Sequence, residues 1–198
     1  MIHTLDIILF SGADWWPSRL IEWICDSKFS HVAVGVLDPI YIDASLRGEY
    51  MVESGEEFYP DAVSEEMRWG VQMQEWQNII RSYNGRVYRR RFEWLSGEPI
   101  ENLDHLLKEL WQKTHDASYD LNPIDFIEAQ FQVKIFNRQT KEFVCSAYAA
   151  CCLCFAGVIP SNVNWNMFMP RDFKEGGRID RLLNEKGLGK LGPVERLK

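Results

Sequence analysis

The fold class is decided by residues 31–55, which read HVAVGVLDPIYIDASLRGEYMVESG. A valine-rich run that begins at His31 is separated from a second apolar run, residues 49–55, by a loop bounded by Pro39 and Gly48. β-Branched and aromatic residues are enriched in strands, and proline and glycine mark the turns between strands. The stretch therefore predicts two strands, the second of which pairs back antiparallel on the first.

Further elements are predicted on both sides of this hairpin. They are a strand at 4–10 (TLDIILF), a strand running into a helical turn at 70–83, a strand at 85–95, an amphipathic helix at 100–116, a helix beginning at Asn122 and Pro123, and an apolar helix at 145–157 that ends at Gly157. Strands mostly precede the long helices, and strands adjacent in sequence have the spacing of antiparallel neighbours. We expect an α+β fold in which a meandering antiparallel sheet is packed with helices.

The length and composition predict one globular domain. A chain of 198 residues suits a single domain, residues 1–198, and 46% hydrophobic residues are enough for a substantial core. From about residue 186 the sequence carries three glycines and a proline before a charged end. We expect this tail, about 186–198, to be loosely held.

The charge balance argues against a nucleic-acid partner. The net charge is −7, whereas phosphate binding needs clustered Lys and Arg. The exception is the local run GRVYRRRF, with Arg86, Arg89, Arg90 and Arg91. This run is interpreted as a solvated or ion-paired strand face, with an anionic substrate or lipid headgroup as the alternative.

The cysteines indicate a reducing compartment. Five cysteines, four of them within residues 145–154, do not form the even, spaced pattern of a secreted disulfide framework. The first residues lack the pattern of a secretory signal, and no apolar run reaches the roughly 18 residues of a membrane span. We expect a cytoplasmic protein. Cys151 and Cys154 have the spacing of a metal or redox pair but no second pair, so no metal and no other cofactor is expected.

Cys145 is the candidate nucleophile because of its position. It stands where the extended segment KEFV becomes a helix. The first turn of a helix has unpaired N–H groups and a positive dipole end, both of which favour a thiolate. The backbone N–H groups of Cys145 and Ser146 are candidates for binding an oxyanion. The other cysteines of the helix have the character of small core residues.

His31 and Glu53 are the candidate base and orienting carboxylate. His31 is the first residue of a strand with a buried composition, which is a rigid position at the rim of a sheet. In an antiparallel hairpin the far end of the second strand returns to the start of the first, so Glu53 is predicted beside His31. A carboxylate there would orient the imidazole and stabilise its charged form. Asp43, in the intervening loop, is the competing orienter.

The order of several motifs resembles the circularly permuted branch of the NlpC-type papain-like superfamily. The motifs are LDIILFSG (5–12), SHVAVGV (30–36), YMVESG (50–55), YDLNPIDF (119–126), FVCSAYAA (143–150) with AGVIP (156–160), and MPRDF (169–173). That branch includes bacterial YiiX-like proteins, poxvirus and large-DNA-virus proteins and, more distantly, lecithin:retinol acyltransferase-like enzymes. The resemblance covers roughly residues 4–175. It implies a permuted papain-like fold and, if the chain is viral, a place in the host cytoplasm or the virion.

The resemblance also implies roles for individual residues. In the family a strand-start His precedes a carboxylate on the next strand, and the Cys comes late, on a helix. The matching positions here are His31 as base, Glu53 as orienter and Cys145 as nucleophile. Ala147 and Tyr148 depart from the family pattern directly after the Cys-Ser pair, which leaves the choice of substrate open.

The expected function is that of a cysteine hydrolase, amidase- or peptidase-like, that works through an acyl-enzyme. The alternatives are a lipid-ester acyltransferase or phospholipase at the same site, and a non-catalytic papain-like module that binds peptide or lipid. A redox role for Cys151 and Cys154 is a weaker alternative. Trp15 and Trp16 either border the cleft, where they would contact an acyl chain or a membrane surface, or pack in the core. The oligomeric state is not predicted.

Overall fold

A computed structural model describes residues 1–12, 22, 26–55, 59–119 and 142–198. Its strands are β1 (Ile7–Ser11), β2 (His31–Leu37), β3 (Glu49–Gly55), β4 (Gly70–Glu75), β5 (Arg86–Arg90), β6 (Phe92–Trp94), β7 (Ser118–Tyr119), β8 (Glu142–Phe143), β9 (Gly189–Leu191) and β10 (Glu195–Arg196). Eight of them form one sheet in the order β10-β5-β1-β2-β3-β4-β7-β8. The first six in this order pair antiparallel, as does β4 with β7, and β7 pairs parallel with β8.

Helices cover both faces of this sheet. Within the described ranges the α-helices are α1 (Trp76–Ser82), α2 (Leu103–Thr114), α3 (Cys145–Phe155) and α4 (Arg178–Lys186), and short 3₁₀ turns occupy Trp165–Met167 and Pro170–Phe173. The predicted α+β class, an antiparallel sheet packed with helices, is confirmed. The helix predicted from Asn122 and Pro123 lies outside the described residues. None of the helices described is both long enough and apolar enough to cross a bilayer.

The central strands divide the core into two layers. On β2, Val32, Val34 and Val36 belong to the cluster that includes α2, α3 and α4. Ala33, one position out of phase, belongs to the cluster on the other face, together with Trp76 of α1. Because side chains of a strand alternate between faces, a strand buried on both sides is almost continuously apolar. This explains the unbroken apolar composition of the predicted strand.

Helix α3 is apolar around its whole circumference because it packs inside the larger layer. Its residues from Cys145 to Leu153 are all buried, and the helix contacts β2 and β3. The helix ends as predicted at Gly157, whose φ of 69° lies in the left-handed region that glycine adopts without strain. The position of Cys145 is therefore fixed by a rigid, buried helix.

The C-terminal tail is not loosely held, which corrects the sequence-based expectation. Strand β9 pairs with β6, and β10 pairs with β5 at the edge of the main sheet. The buried guanidinium of Arg90 donates hydrogen bonds to the carbonyl oxygens of Gly192, Phe173 and Lys174 and forms an ion pair with Asp180 at 2.9 Å. Glycine and proline content alone indicated a mobile segment, but backbone pairing and this arginine hold it in place.

The central arginines of the β5 run form contacts within the protein. Arg90 is 2% exposed, and Arg89 forms an ion pair with Glu195 of β10 at 2.7 Å. Arg86, at the start of the strand, is exposed. These contacts agree with the interpretation of the run as an ion-paired strand face.

Candidate active site

The hairpin of β2 and β3 places His31 beside Glu53. The two strands pair antiparallel in the register Val34 to Val52, so the end of β3 lies next to the start of β2. The Nε2 atom of His31 lies 2.5 Å from Oε2 of Glu53. The Glu53 side chain is 4% exposed and that of His31 is 24% exposed. A buried carboxylate therefore holds a ring whose other side is accessible.

The first residue of α3 brings the thiol of Cys145 to the same ring. The Cys145 side chain is close enough to the His31 imidazole for the two to interact electrostatically. Because Nε2 is occupied by Glu53, Nδ1 is the nitrogen left for the sulfur. Cys145 is 5% exposed, so the residue is almost entirely enclosed. The three residues form a continuous line, Cys145–His31–Glu53.

The environment of His31 favours its charged form. Burial by itself would lower the pKa of the imidazole, but the negative charges of Cys145 and Glu53 and the hydrogen bonds to both side chains raise it well above its ordinary value of 6.5. An imidazolium is therefore retained beside the sulfur at neutral pH. A cation in that position stabilises a thiolate by direct charge interaction.

The start of α3 is anchored so that its backbone N–H groups are presented beside the sulfur. Val144 is the N-cap residue, and its side chain makes no capping hydrogen bond. The hydroxyl of Ser146 donates a 2.6 Å hydrogen bond to the carbonyl oxygen of Phe168 and so ties the first turn to the chain that follows the helix. The first N–H groups of a helix have no acceptor within it, so those of Cys145 and Ser146 are suited to binding an oxyanion.

The other described cysteines have environments unlike that of Cys145. Burial raises the pKa of Cys151 to about 12, and it also raises the pKa values of Cys152 and Cys154 above those of ordinary thiols. These residues are neutral thiols at physiological pH and none of them is in a disulfide. In the described residues no group of three or more His, Cys, Asp or Glu side chains is arranged to hold a metal ion. Cys25 lies outside the described residues.

The competing orienter, Asp43, is engaged elsewhere. Its carboxylate accepts hydrogen bonds from the backbone N–H and the hydroxyl of Ser45, at 2.8 and 2.7 Å, which lower its pKa. Asp43 is exposed, in the loop between β2 and β3. The carboxylate that contacts His31 is that of Glu53.

Two residues of the site were not predicted from the sequence. Nε2 of Gln72, on β4, donates a 3.3 Å hydrogen bond to Oε1 of Glu53. At Gly55 an added Cβ would lie 3.3 Å from Cε1 of His31 and 3.4 Å from Cδ of Glu53, a close approach that would require the two side chains to shift slightly. The strand sequence GVQMQE offered one signal: glutamines alternate with apolar residues, but this pattern is typical of a solvent-facing strand side.

Aromatic residues form one wall beside the imidazole. Phe10 of β1 contacts the His31 ring edge-to-face, with centroids 5.3 Å apart, and Tyr83 contacts Phe10 in the same way at 5.0 Å. Burial and nearby carboxylates raise the pKa of Tyr83 to about 12, so its hydroxyl stays protonated. This wall restricts rotation of the ring. Trp15 and Trp16, the predicted cleft residues, lie outside the described residues.

The sequence matches neither a protein-family model nor a curated protein. The geometry and charges of the site itself are therefore the basis for inferring its function.

Proposed function

We propose that the protein is a cysteine hydrolase, amidase- or peptidase-like, that acts through Cys145, His31 and Glu53 in a permuted papain-like fold. The observation that carries this proposal is the line of contacts from Cys145 through His31 to Glu53 at the start of a buried helix. A nucleophile, a base and a group that orients the base are the parts that covalent acyl transfer needs.

The first half of the reaction forms an acyl-enzyme. The Cys145 thiolate attacks the substrate carbonyl carbon, and the developing oxyanion is stabilised by backbone N–H groups of Cys145 and Ser146. As the tetrahedral intermediate collapses, the His31 imidazolium gives its Nδ1 proton to the leaving amine or alkoxide. The products of this half are a thioester on Cys145 and a neutral leaving group.

The second half releases the acyl group. Neutral His31 takes a proton from water, and the resulting hydroxide attacks the thioester carbonyl. Collapse of this intermediate breaks the C–S bond, releases the acyl group as a carboxylic acid and frees the Cys145 thiolate beside the imidazolium that His31 became on taking the proton. Glu53 keeps the ring oriented throughout, because it remains bound to Nε2 while Nδ1 exchanges the proton. An acceptor other than water would make the same cycle an acyl transfer.

An amide or peptide is the preferred substrate class, and a lipid ester is the alternative at the same site. An amide needs a general acid to protonate its poor leaving group. The raised pKa of His31 supplies one at neutral pH. This favours amide cleavage, since an ester alkoxide needs less assistance. A non-catalytic binding module would not need a charged imidazole beside the thiol, so the raised pKa of His31 favours an enzyme.

Mass spectrometry of acyl adducts tests the proposal. The protein is incubated with an activated aryl ester and, separately, with peptide aryl amides, then digested under acid conditions. We expect an acyl group on Cys145 and release of the aryl product, both lost in Cys145→Ala and retained in Cys152→Ser. If no substrate acylates Cys145, or if Cys145→Ala turns over substrate as the natural sequence does, the proposed function is wrong.

A further inference from the structure

Two buried glutamines of β4 lie behind Glu53. Gln72 and Gln74 are both 0% exposed. Since β4 pairs with β3 in the register Gln72 to Glu53, the side chains of Gln72, Gln74 and Glu53 lie on the same face of the sheet. Burying two primary amides is costly unless they are hydrogen-bonded, so their arrangement needs an explanation.

The two amides form a chain of hydrogen bonds that ends on Glu53. Nε2 of Gln74 donates to the carbonyl oxygen of Tyr59 at 3.1 Å and to Oε1 of Gln72 at 3.0 Å. Nε2 of Gln72 in turn donates to Oε1 of Glu53 at 3.3 Å. Oε2 of Glu53 is left for His31. These hydrogen bonds therefore connect the backbone carbonyl of Tyr59 to the carboxylate of Glu53, which contacts His31.

The backbone carbonyl gives this chain a direction. A carbonyl oxygen can only accept, so Gln74 must turn its NH₂ group toward Tyr59. The same NH₂ group then faces Gln72, which must present its oxygen there and its own NH₂ group to Glu53. Gln72 is thus held as a donor toward the carboxylate, and flipping either amide would break a bond at each end.

We propose that Gln72 is a positioning residue for the acyl-transfer reaction, held as a donor by Gln74 and Tyr59; this inference rests on the proposed function. A neutral donor favours the ionised carboxylate without competing with His31 for it, whereas a lysine or arginine would neutralise the charge on which the imidazolium depends. Gln72 acts through Glu53, which in turn contacts His31.

The test is the pH profile of Cys145 alkylation by iodoacetamide in the full-length protein. Iodoacetamide reacts with the thiolate, so the midpoint of the profile reports how well the imidazolium holds the sulfur ionised. In Gln72→Met, Glu53 loses its donor and stabilises His31 less. We expect the midpoint to rise by about one pH unit, equivalent to about tenfold slower labelling below the midpoint. Gln74→Met should move it in the same direction by less.

Matched variants separate positioning from simple loss of structure. Gln77 is an exposed glutamine on α1, and Gln77→Met should leave the midpoint unchanged. If Gln72→Met does not fold, Gln72→Asn keeps an amide but withdraws it by one methylene, and the same rise is expected. A midpoint that stays put in folded Gln72 and Gln74 variants overturns the inference.

The failure of this inference is distinguishable from failure of the proposed function. If the natural sequence has a low midpoint that rises in His31→Ala but not in the Gln72 variants, only the glutamine chain is wrong. If the natural sequence already labels like an ordinary thiol, the proposed Cys145–His31 pair is wrong, and the positioning role of Gln72 is wrong with it.

Discussion

Nε2 of His31 lies 2.5 Å from Oε2 of Glu53, and this contact determines which nitrogen of the ring meets Cys145. A carboxylate at Nε2 holds the proton there and leaves Nδ1 as the atom that exchanges protons with the sulfur and the substrate. The same contact helps to raise the pKa of the imidazole. Glu53 thus orients the proposed base and, together with Cys145, favours its ionised form.

Selective alkylation is the first expected outcome. At about pH 6, where an ordinary thiol reacts slowly, Cys145 should react with iodoacetamide much faster than Cys154, although Cys154 is the more exposed of the two. Peptide mapping by mass spectrometry measures both sites in one sample. His31→Ala should slow labelling of Cys145 and leave that of Cys154 as it was. Equal rates at the two cysteines would contradict the thiolate pair.

Replacement of Glu53 by glutamine should weaken the stabilisation of the His31 imidazolium without leaving a cavity. Glu53→Gln keeps the shape of the side chain but removes the charge that supports the imidazolium. We expect the rate of Cys145 labelling at pH 6 to fall by about tenfold or more, since one pKa unit corresponds to a factor of ten. Asp43→Asn is the control, because the Asp43 carboxylate bonds with Ser45 and lies in the loop away from His31. A similar loss in both variants would remove Glu53 from its assigned role.

The raised pKa of His31 predicts a specific titration. In NMR spectra of the folded protein the His31 ring should remain protonated well above pH 6.5, and the natural sequence in urea should titrate near that value. Glu53→Gln and Cys145→Ala should each bring the folded-state pKa down, because each removes one of the negative charges that raise it. A folded-state value at or below 6.5 in the natural sequence would refute the imidazolium.

The same shift gives stability a pH dependence. The folded state binds the His31 proton more tightly than the unfolded chain does, so this contribution is complete below about pH 6.5 and is lost as the pH rises through the folded-state pKa. The difference in unfolding free energy between the natural sequence and His31→Gln should therefore shrink at alkaline pH. Urea denaturation at several pH values measures it, and a difference that grows with pH would contradict the sign.

Gly55→Ala should disturb the site while leaving the fold intact. The added Cβ would lie 3.3 Å from Cε1 of His31, close enough to displace the ring from Glu53. We expect Cys145 labelling to slow several-fold with little change in thermal stability. Gly192→Ala is the matched control, because its added Cβ would make only an ordinary 3.6 Å contact with the backbone of Arg91. Unchanged labelling in Gly55→Ala would contradict the expected displacement of the His31 ring from Glu53.

Arg90 is expected to affect stability and not chemistry. Arg90→Met removes a buried guanidinium that bonds to four carbonyl oxygens and to Asp180, and it should lower the unfolding free energy by about 3 kcal/mol. Labelling of Cys145 in the folded variant should be unaffected. Arg86→Met, at an exposed position of the same strand, should change stability by less than about 0.5 kcal/mol. A stable Arg90→Met would contradict the anchoring of the tail.

The structure also explains which local predictions from sequence were correct. The start of β2 at His31, the return of β3 to it and the end of α3 at Gly157 all follow from patterns within a few residues, so they were predictable. The pairing of residues 189–196 and the burial of Gln72 and Gln74 depend on partners far away in sequence. The glycine and proline content wrongly predicted that the C-terminal segment is loosely held. The alternation of glutamine with apolar residues would have predicted that Gln72 and Gln74 face solvent.

By itself the sequence determined the elements and their ends, because strand periodicity, helix termini and turn residues act between near neighbours. It also marked Cys145 among its neighbouring cysteines by its place at a helix start. Only the tertiary structure decided that Cys145 meets His31, that Glu53 holds Nε2, and that a chain of buried amides supports that carboxylate. Those relations depend on how α3 packs on the sheet and on which face of β4 is covered, and no local pattern encodes either.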